Sequence, residues 1–230
     1  MSLSRLWIGV DWGTHSSKWW FTAQDSRGQI SDVGRANPVV DSTLHRVGSS
    51  LMLAYEGTRL QSDCSVARLK RHLIENPLGP DYWEAAWRGT GLSLGDAATL
   101  CLATLLGDVA TRLEEQKLGV DAETRVSVRF SLPNWISNDL GEQVARQNMF
   151  QTTAVVMALL ASDGWAGLPR VGNRVRAEDW QRKMKQRAKE LQFMRDHDIP
   201  IPDVRLTTLT VDKKDNEDEA DDNKTNTQEN

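Results

Sequence analysis

Residues 6–22 read Leu-Trp-Ile-Gly-Val-Asp-Trp-Gly-Thr-His-Ser-Ser-Lys-Trp-Trp-Phe-Thr, and this layout restricts the fold more than any other stretch. An apolar strand, 6–10, runs into Asp11. A turn through Gly13, Thr14, His15, Ser16 and Ser17 follows, and a second β-prone segment, 18–21, leads straight back. So short a link joins antiparallel neighbours, because a parallel pair needs a crossover of about a dozen residues or more. A carboxylate and small residues at the tip of a buried hairpin suit phosphate chemistry. Glycine lets backbone N–H groups cradle phosphate oxygens. The hydroxyls of Thr14, Ser16 and Ser17 add hydrogen bonds, and Asp11 can hold a hydrated Mg²⁺ against the phosphates. The same residue types also build ordinary turns, so the hairpin alone leaves both readings open.

Further strands are expected at 30–33, after a turn at 24–29, and as a pair at 47–53 and 58–60 separated by Glu56-Gly57. Such closely spaced strands predict an antiparallel or mixed sheet. The pattern then predicts a short helix over 66–74, carrying Lys70 and Arg71 and ended by Asn76-Pro77-Leu78-Gly79-Pro80. A long helix is predicted over 94–117. Ser93 stands at its N-cap, Asp96 lies in its first turn, and Gly119 is placed to close it. Its apolar residues Ala97, Leu100, Cys101, Leu105, Val109 and Leu113 keep helical spacing. Residues 125–132 alternate as a strand broken by Pro133-Asn134, and Asn138 can cap a second long helix over 139–161. A loop at 164–172 precedes an amphipathic helix over 178–194 with Trp180, Met184, Ala188 and Leu191 on one face. A last strand is predicted over 204–211.

Composition sets limits on partners. The 230 residues are 39% hydrophobic with a net charge of −4, enough chain for one large domain or two small ones. The charge is uneven. Residues 212–230 carry a net of −5, whereas the segment from Arg174 to Arg195 carries +5. The basic helix can screen the acidic tail, dock a partner or touch nucleic acid, and it also reads as a solvated helix packed by Trp180 and Met184. No apolar run looks long enough for a membrane span, and the N-terminus lacks a signal layout, so the expectation is a cytoplasmic protein with no membrane partner. Two cysteines match no metal spacing, and the nine tryptophans read first as core packing.

The hairpin Ile8-Gly9-Val10-Asp11-Trp12-Gly13-Thr14 resembles the first phosphate loop of the actin-like ATPase superfamily, which includes sugar kinases, actin and the seventy-kilodalton heat-shock (DnaK-type) chaperones. Later segments resemble the chaperone branch. His45-Arg46-Val47-Gly48-Ser49-Ser50-Leu51 looks like its asparagine-arginine, proline-serine and strand stretch, and Leu69-Lys70-Arg71 falls at a similar interval. Arg125 to Trp135 is similar to that family's strand ending in valine-proline-alanine-tyrosine-phenylalanine. The resemblance covers about residues 5–160. It implies Asp11 in a metal shell, Gly13, Thr14, His15 and Ser16 at phosphates, and Lys70 as a catalytic lysine; the residues alone equally allow Lys70 as a solvated helix lysine. Lys18 is a second basic candidate, and His15 departs from the chaperones' usual threonine.

The superfamily closes ATP between two lobes, the second bringing a glycine-rich phosphate loop and the adenosine pocket. This sequence has no Gly-Gly pair and no glutamate-proline helix start after the first lobe. The expectation is therefore an α/β, ribonuclease-H-like (actin-like ATPase) first lobe with a mixed five-stranded sheet and flanking helices. It would span 1–167 with a subdomain inserted at about 37–90, followed by a basic amphipathic helix and final strand over 168–211 and a disordered acidic tail over 212–230. Such a lobe would bind ATP or ADP with Mg only beside a protein partner supplying the second lobe, and would not hydrolyse ATP alone. The alternatives are a non-catalytic interaction scaffold derived from such a lobe, or a split product of a longer ATPase.

Overall fold

The computed structural model describes residues 2–75, 81–84, 86–87, 89–121, 123–132, 140–196 and 205–208. The expected Pro-Gly loop at 76–80, the Pro133-Asn134 break, the Asn138 cap and the acidic tail lie outside the described residues. The architecture is mixed α/β. Strands β1 (Leu3–Asp11), β2 (Ser16–Asp25) and β3 (Ile30–Arg35) form an antiparallel meander. Two-residue β4 (Val40–Asp41) pairs with the start of β2. A second, small sheet begins with β5 (Leu44–Val47), β6 (Ser50–Met52) and β7 (Cys64–Val66). Helices α1 (Leu69–Glu75), α2 (Asp81–Glu84) and α3 (Leu94–Glu115) follow, then β8 (Arg125–Leu132) and α4 (Leu140–Asp163). A 3₁₀ turn, Trp165–Gly167, leads to β9 (Val175–Arg176), α5 (Ala177–Asp196) and β10 (Arg205–Thr208).

The large sheet runs β10-β8-β1-β2-β3, with β1, β8 and β10 parallel and β1, β2 and β3 antiparallel. Period-two alternation decides its inner face. Leu6, Ile8 and Val10 of β1, and Trp19, Phe21 and Ala23 of β2, are all at most 3% exposed. Against this face lies α3, apolar nearly all round. It is also long and apolar enough to cross a membrane by composition, which corrects the expectation that no run approached that length. Within the fold, 94% of that stretch is buried. Its N-terminus forms as expected, Ser93 Oγ accepting from the Asp96 amide at 3.0 Å. Its C-terminus differs. Lys117, not a glycine, takes the left-handed conformation (φ 57°), and the Leu118 amide donates back to Leu113 O at 2.9 Å.

The 47–53 and 58–60 strand pair is not what forms. Gly48, at positive φ, turns the chain between β5 and β6, and β7 supplies the second neighbour of β5. The small sheet closes from far along the chain, since β9 pairs with β6. Helix α5 then packs onto α3 and α4. Trp180, Met184 and Leu191 are buried, and Trp180 Nε1 donates to Asp96 O at 2.9 Å, while Ala188 of the same stripe stays exposed. Two of the basic residues on α5 are turned to the protein itself: Lys183 and Arg187 both pair with Asp163 at 2.5 Å.

Two carboxylates sit inside this core. Asp108 accepts from Trp19 Nε1 at 2.8 Å and Tyr55 OH at 2.6 Å, tying β2 and the loop after β6 to α3. Asp108→Ala should lower stability by about 2–4 kcal/mol, because two buried donors lose their acceptor, and Asp108→Asn should cost less; denaturant midpoints measure both. Asp96 is pushed up to about 6, burial outweighing the hydrogen bonds from Ser93 and the charge of Lys185. Because the folded value lies above the unfolded one, protonation favours the fold. That contribution is full below about pH 4 and is lost as pH rises through about 6. Asp96→Asn should therefore raise stability at about pH 8 by about 1–2 kcal/mol, and the gain should shrink at about pH 4 in paired thermal melts.

Candidate functional site

Two parallel strands of the large sheet end together, and that corner collects the polar groups. The register sets Val10 of β1 beside Phe130 of β8, so Asp11 and Ser131, one residue further on, share the opposite, outer face. Ser131 Oγ donates to Asp11 Oδ1 at 2.7 Å. On the other side, Asp11 stands directly across from Lys18 of β2. The carboxyl ends of parallel strands are where α/β sheets collect ligands, since the strands stop there and leave side chains and backbone groups unpaired.

Lys70, near the start of α1, joins this corner. It is only 8% exposed, so it is not a solvated helix lysine. Burial holds its ammonium below the ordinary lysine range, and the carboxylate of Asp11 pulls in the opposite direction. The field of Asp11 thus reaches Lys70 from the far end of β1. An attractive partner is what a buried ammonium requires, because desolvation otherwise disfavours its charge.

The turn between β1 and β2 is braced from below. A Cβ on Gly13 would lie 1.9 Å from Ser16 O, so the turn closes only around a residue without a side chain. His15 O accepts from the Ser42 amide at 2.8 Å, and β4 sets Asp41 opposite Ser16 and Val40 opposite Ser17. Ser17 is 1% exposed, and its hydroxyl shares a 2.7 Å hydrogen bond with Ser42 Oγ. It faces the core and braces the turn, away from the face that carries Asp11. Thr14 and Ser16 are half-buried, and His15 and Lys18 are exposed. Asp11 and its register partner Lys18 thus stand beside the Gly13 turn, with Thr14, His15 and Ser16 in the turn itself and Lys70 within the electrostatic reach of Asp11.

Ser131 is the residue that sequence reasoning missed. A serine near the end of an alternating strand carries no signal of its own. Its importance follows only from the parallel pairing of β8 with β1, which the short-range pattern does not specify. Among the described residues no three His, Cys, Asp or Glu side chains gather to hold a metal ion. Asp11 offers a single carboxylate. That donor set suits Mg²⁺, which keeps several waters and takes further oxygens from phosphate, better than it suits a metal caged by protein alone.

No protein-family model matches the chain, and no curated protein matches it. The geometry of the corner carries the functional reading by itself.

The coupling of Asp11 to Lys70 has a measurable sign. Asp11→Asn removes the carboxylate that raises the lysine, so Lys70 should titrate at lower pH than in the wild type. Carbon-detected NMR of the lysine side-chain Cε follows it directly, and an unchanged titration would show that the two groups do not communicate.

Proposed function

We propose that this chain is a ribonuclease-H-like lobe forming one side of a nucleotide-phosphate site, similar to the first lobe of DnaK-type ATPases, and that a protein partner supplies the other side. The observation that carries the reading is the corner itself: Asp11 bonded to Ser131 at the ends of β1 and β8, with buried Lys70 inside its field. The strand order supports the fold assignment. Three antiparallel strands are followed by two parallel ones, β8 and β10, each reached through helices.

Each residue then has a physical task. The backbone of the Gly13 turn, with Thr14, His15 and Ser16, donates to phosphate oxygens. Asp11, oriented by Ser131, holds the water shell of Mg²⁺. Lys18 and Lys70 bring positive charge to the phosphates from two sides, and Lys70 is pre-positioned by its burial. Ser17 supports the turn from beneath through Ser42. Bound Mg²⁺ supplies charge neutralisation across the phosphate oxygens. Phosphoryl transfer needs such charge to converge from several directions. This corner provides it from one lobe, so hydrolysis belongs to the complex with the partner and not to the chain alone.

Isothermal titration with Mg-ATP and Mg-ADP, on the chain alone and with the proteins that co-purify with it, tests the proposal. Mg-dependent binding should strengthen in the presence of the partner. Asp11→Ala should weaken it about tenfold or more, and Lys70→Ala by a smaller factor. Partner-dependent binding that Asp11→Ala leaves intact would sink the idea.

A further inference from the structure

The outer face of the large sheet, opposite α3, combines aromatic rings with cationic side chains in a regular grid. Pairing aligns rows across the strands: Arg125 beside Arg5; Ser127, Trp7 and Thr22 in order; and Arg129, Gly9, Trp20 and Arg35 in order from β8 to β3. Trp7 and Trp20 are 38% and 47% exposed, and Arg5, Lys18, Arg35, Arg125 and Arg129 are all exposed. Large aromatics on strands ordinarily face inward, as Trp19 and Phe21 do one residue away.

Gly9 explains the posture of Trp20. A Cβ at Gly9 would lie 2.1 Å from Trp20 Cζ2 and 2.2 Å from Cε2, so the indole fills the space over the one position in that row without a side chain. Covered there by the strand, the indole is exposed on its remaining surface. Trp7, on the neighbouring strand, has the Arg5 guanidinium 6.0 Å from its ring centre. Between them runs a depression of about 410 Å³, lined by Trp7, Gly9, Trp20, Thr22, Ser127 and Arg129.

We propose that this face is a binding platform for single-stranded nucleic acid, with bases stacking on Trp20 and Trp7 and phosphates tracked by Arg5, Arg35, Arg125 and Arg129. Charge selects the occupant. Four arginines, Arg5, Arg35, Arg125 and Arg129, stand exposed on this face. A second copy of the chain docked face to face would set these arginines against their own equivalents. An anionic ligand with exposed π-faces satisfies both features, and a single strand offers both where a duplex hides its base faces inside the stack. The assignment differs from the basic helix α5 noted in the sequence, two of whose cations are paired with Asp163. It is also independent of the nucleotide corner, since it uses none of the turn residues.

Fluorescence anisotropy of the full chain with a labelled oligothymidylate of about 12 nucleotides is the test. Binding should weaken steeply with salt, quench tryptophan emission, and exceed that of a duplex of equal length about tenfold. Trp7→Ala and Trp20→Ala should each weaken binding about fivefold or more, and Arg129→Glu should weaken it and flatten the salt dependence. Circular dichroism melts check the fold; Trp7→Ala and Arg129→Glu leave the Trp20–Gly9 contact in place should Trp20→Ala unfold the sheet. Arg182→Glu on α5 should leave affinity unchanged. Absence of binding, binding insensitive to Trp7→Ala and Arg129→Glu, or equal binding of polyglutamate with the same sensitivities would each overturn the proposal, the last reassigning the face to an acidic protein.

Discussion

The register of β1 decides which side of the molecule every nearby group faces. With β2 antiparallel on one flank and β8 parallel on the other, its alternation sends Leu6, Ile8 and Val10 to the core, and Arg5, Trp7, Gly9 and Asp11 to the outer face. A slip of one residue would exchange the two sets. The strand is pinned at both ends. Thr124 Oγ1 donates to Leu3 O at 2.8 Å near its start, and Ser131 grips Asp11 at its finish. The hydrogen bond that orients the candidate metal-shell carboxylate is thus also one that fixes the sheet.

Helix α3 illustrates how polar groups survive in such a core. Its buried carboxylates are not scattered at random. Asp108 satisfies an indole and a phenol that would otherwise be stranded donors, and Asp96, in the first turn beside its cap Ser93, is accommodated best in its neutral form because burial outweighs the groups that favour its charge. Apolar burial would hold the helix against the sheet in many rotational settings. A carboxylate that must meet Trp19 and Tyr55 admits one.

Much of this was legible in the sequence where local pattern dominates. Alternation placed β8 to the residue, and spacing with Ser93 placed the start of α3. Hairpin links too short for crossovers made the antiparallel β1-β2-β3 flank legible, whereas the parallel flank of the mixed sheet was expected only through the family resemblance. What failed were features set by distant partners. Cys64–Val66 is a strand because β5 offers an edge, and Val175–Arg176 because β6 does. Lys117 adopts positive φ because the Schellman hydrogen bonds hold it there, so glycine spacing alone misplaced the helix end. At the candidate site, Asp11 and the Gly13 turn stand out by residue type and order, whereas Lys70 was expected there only through the family resemblance. Ser131, the core-facing turn of Ser17, and the outward tryptophans required strand pairing, since nothing local distinguishes Trp20 from Trp19.

The pairing of β1 with β8 bridges residues about 120 positions apart. During synthesis the meander β1-β2-β3 can form early from local turns, but the other flank of β1 has no partner until β8 has left the ribosome. For that interval an apolar central strand presents an open edge, the template that promotes pairing with other chains. Non-local closure of this kind is slow relative to hairpin formation. The same central placement that gives β1 its fixed register in the finished protein thus makes it the segment most in need of shielding while the chain is being made.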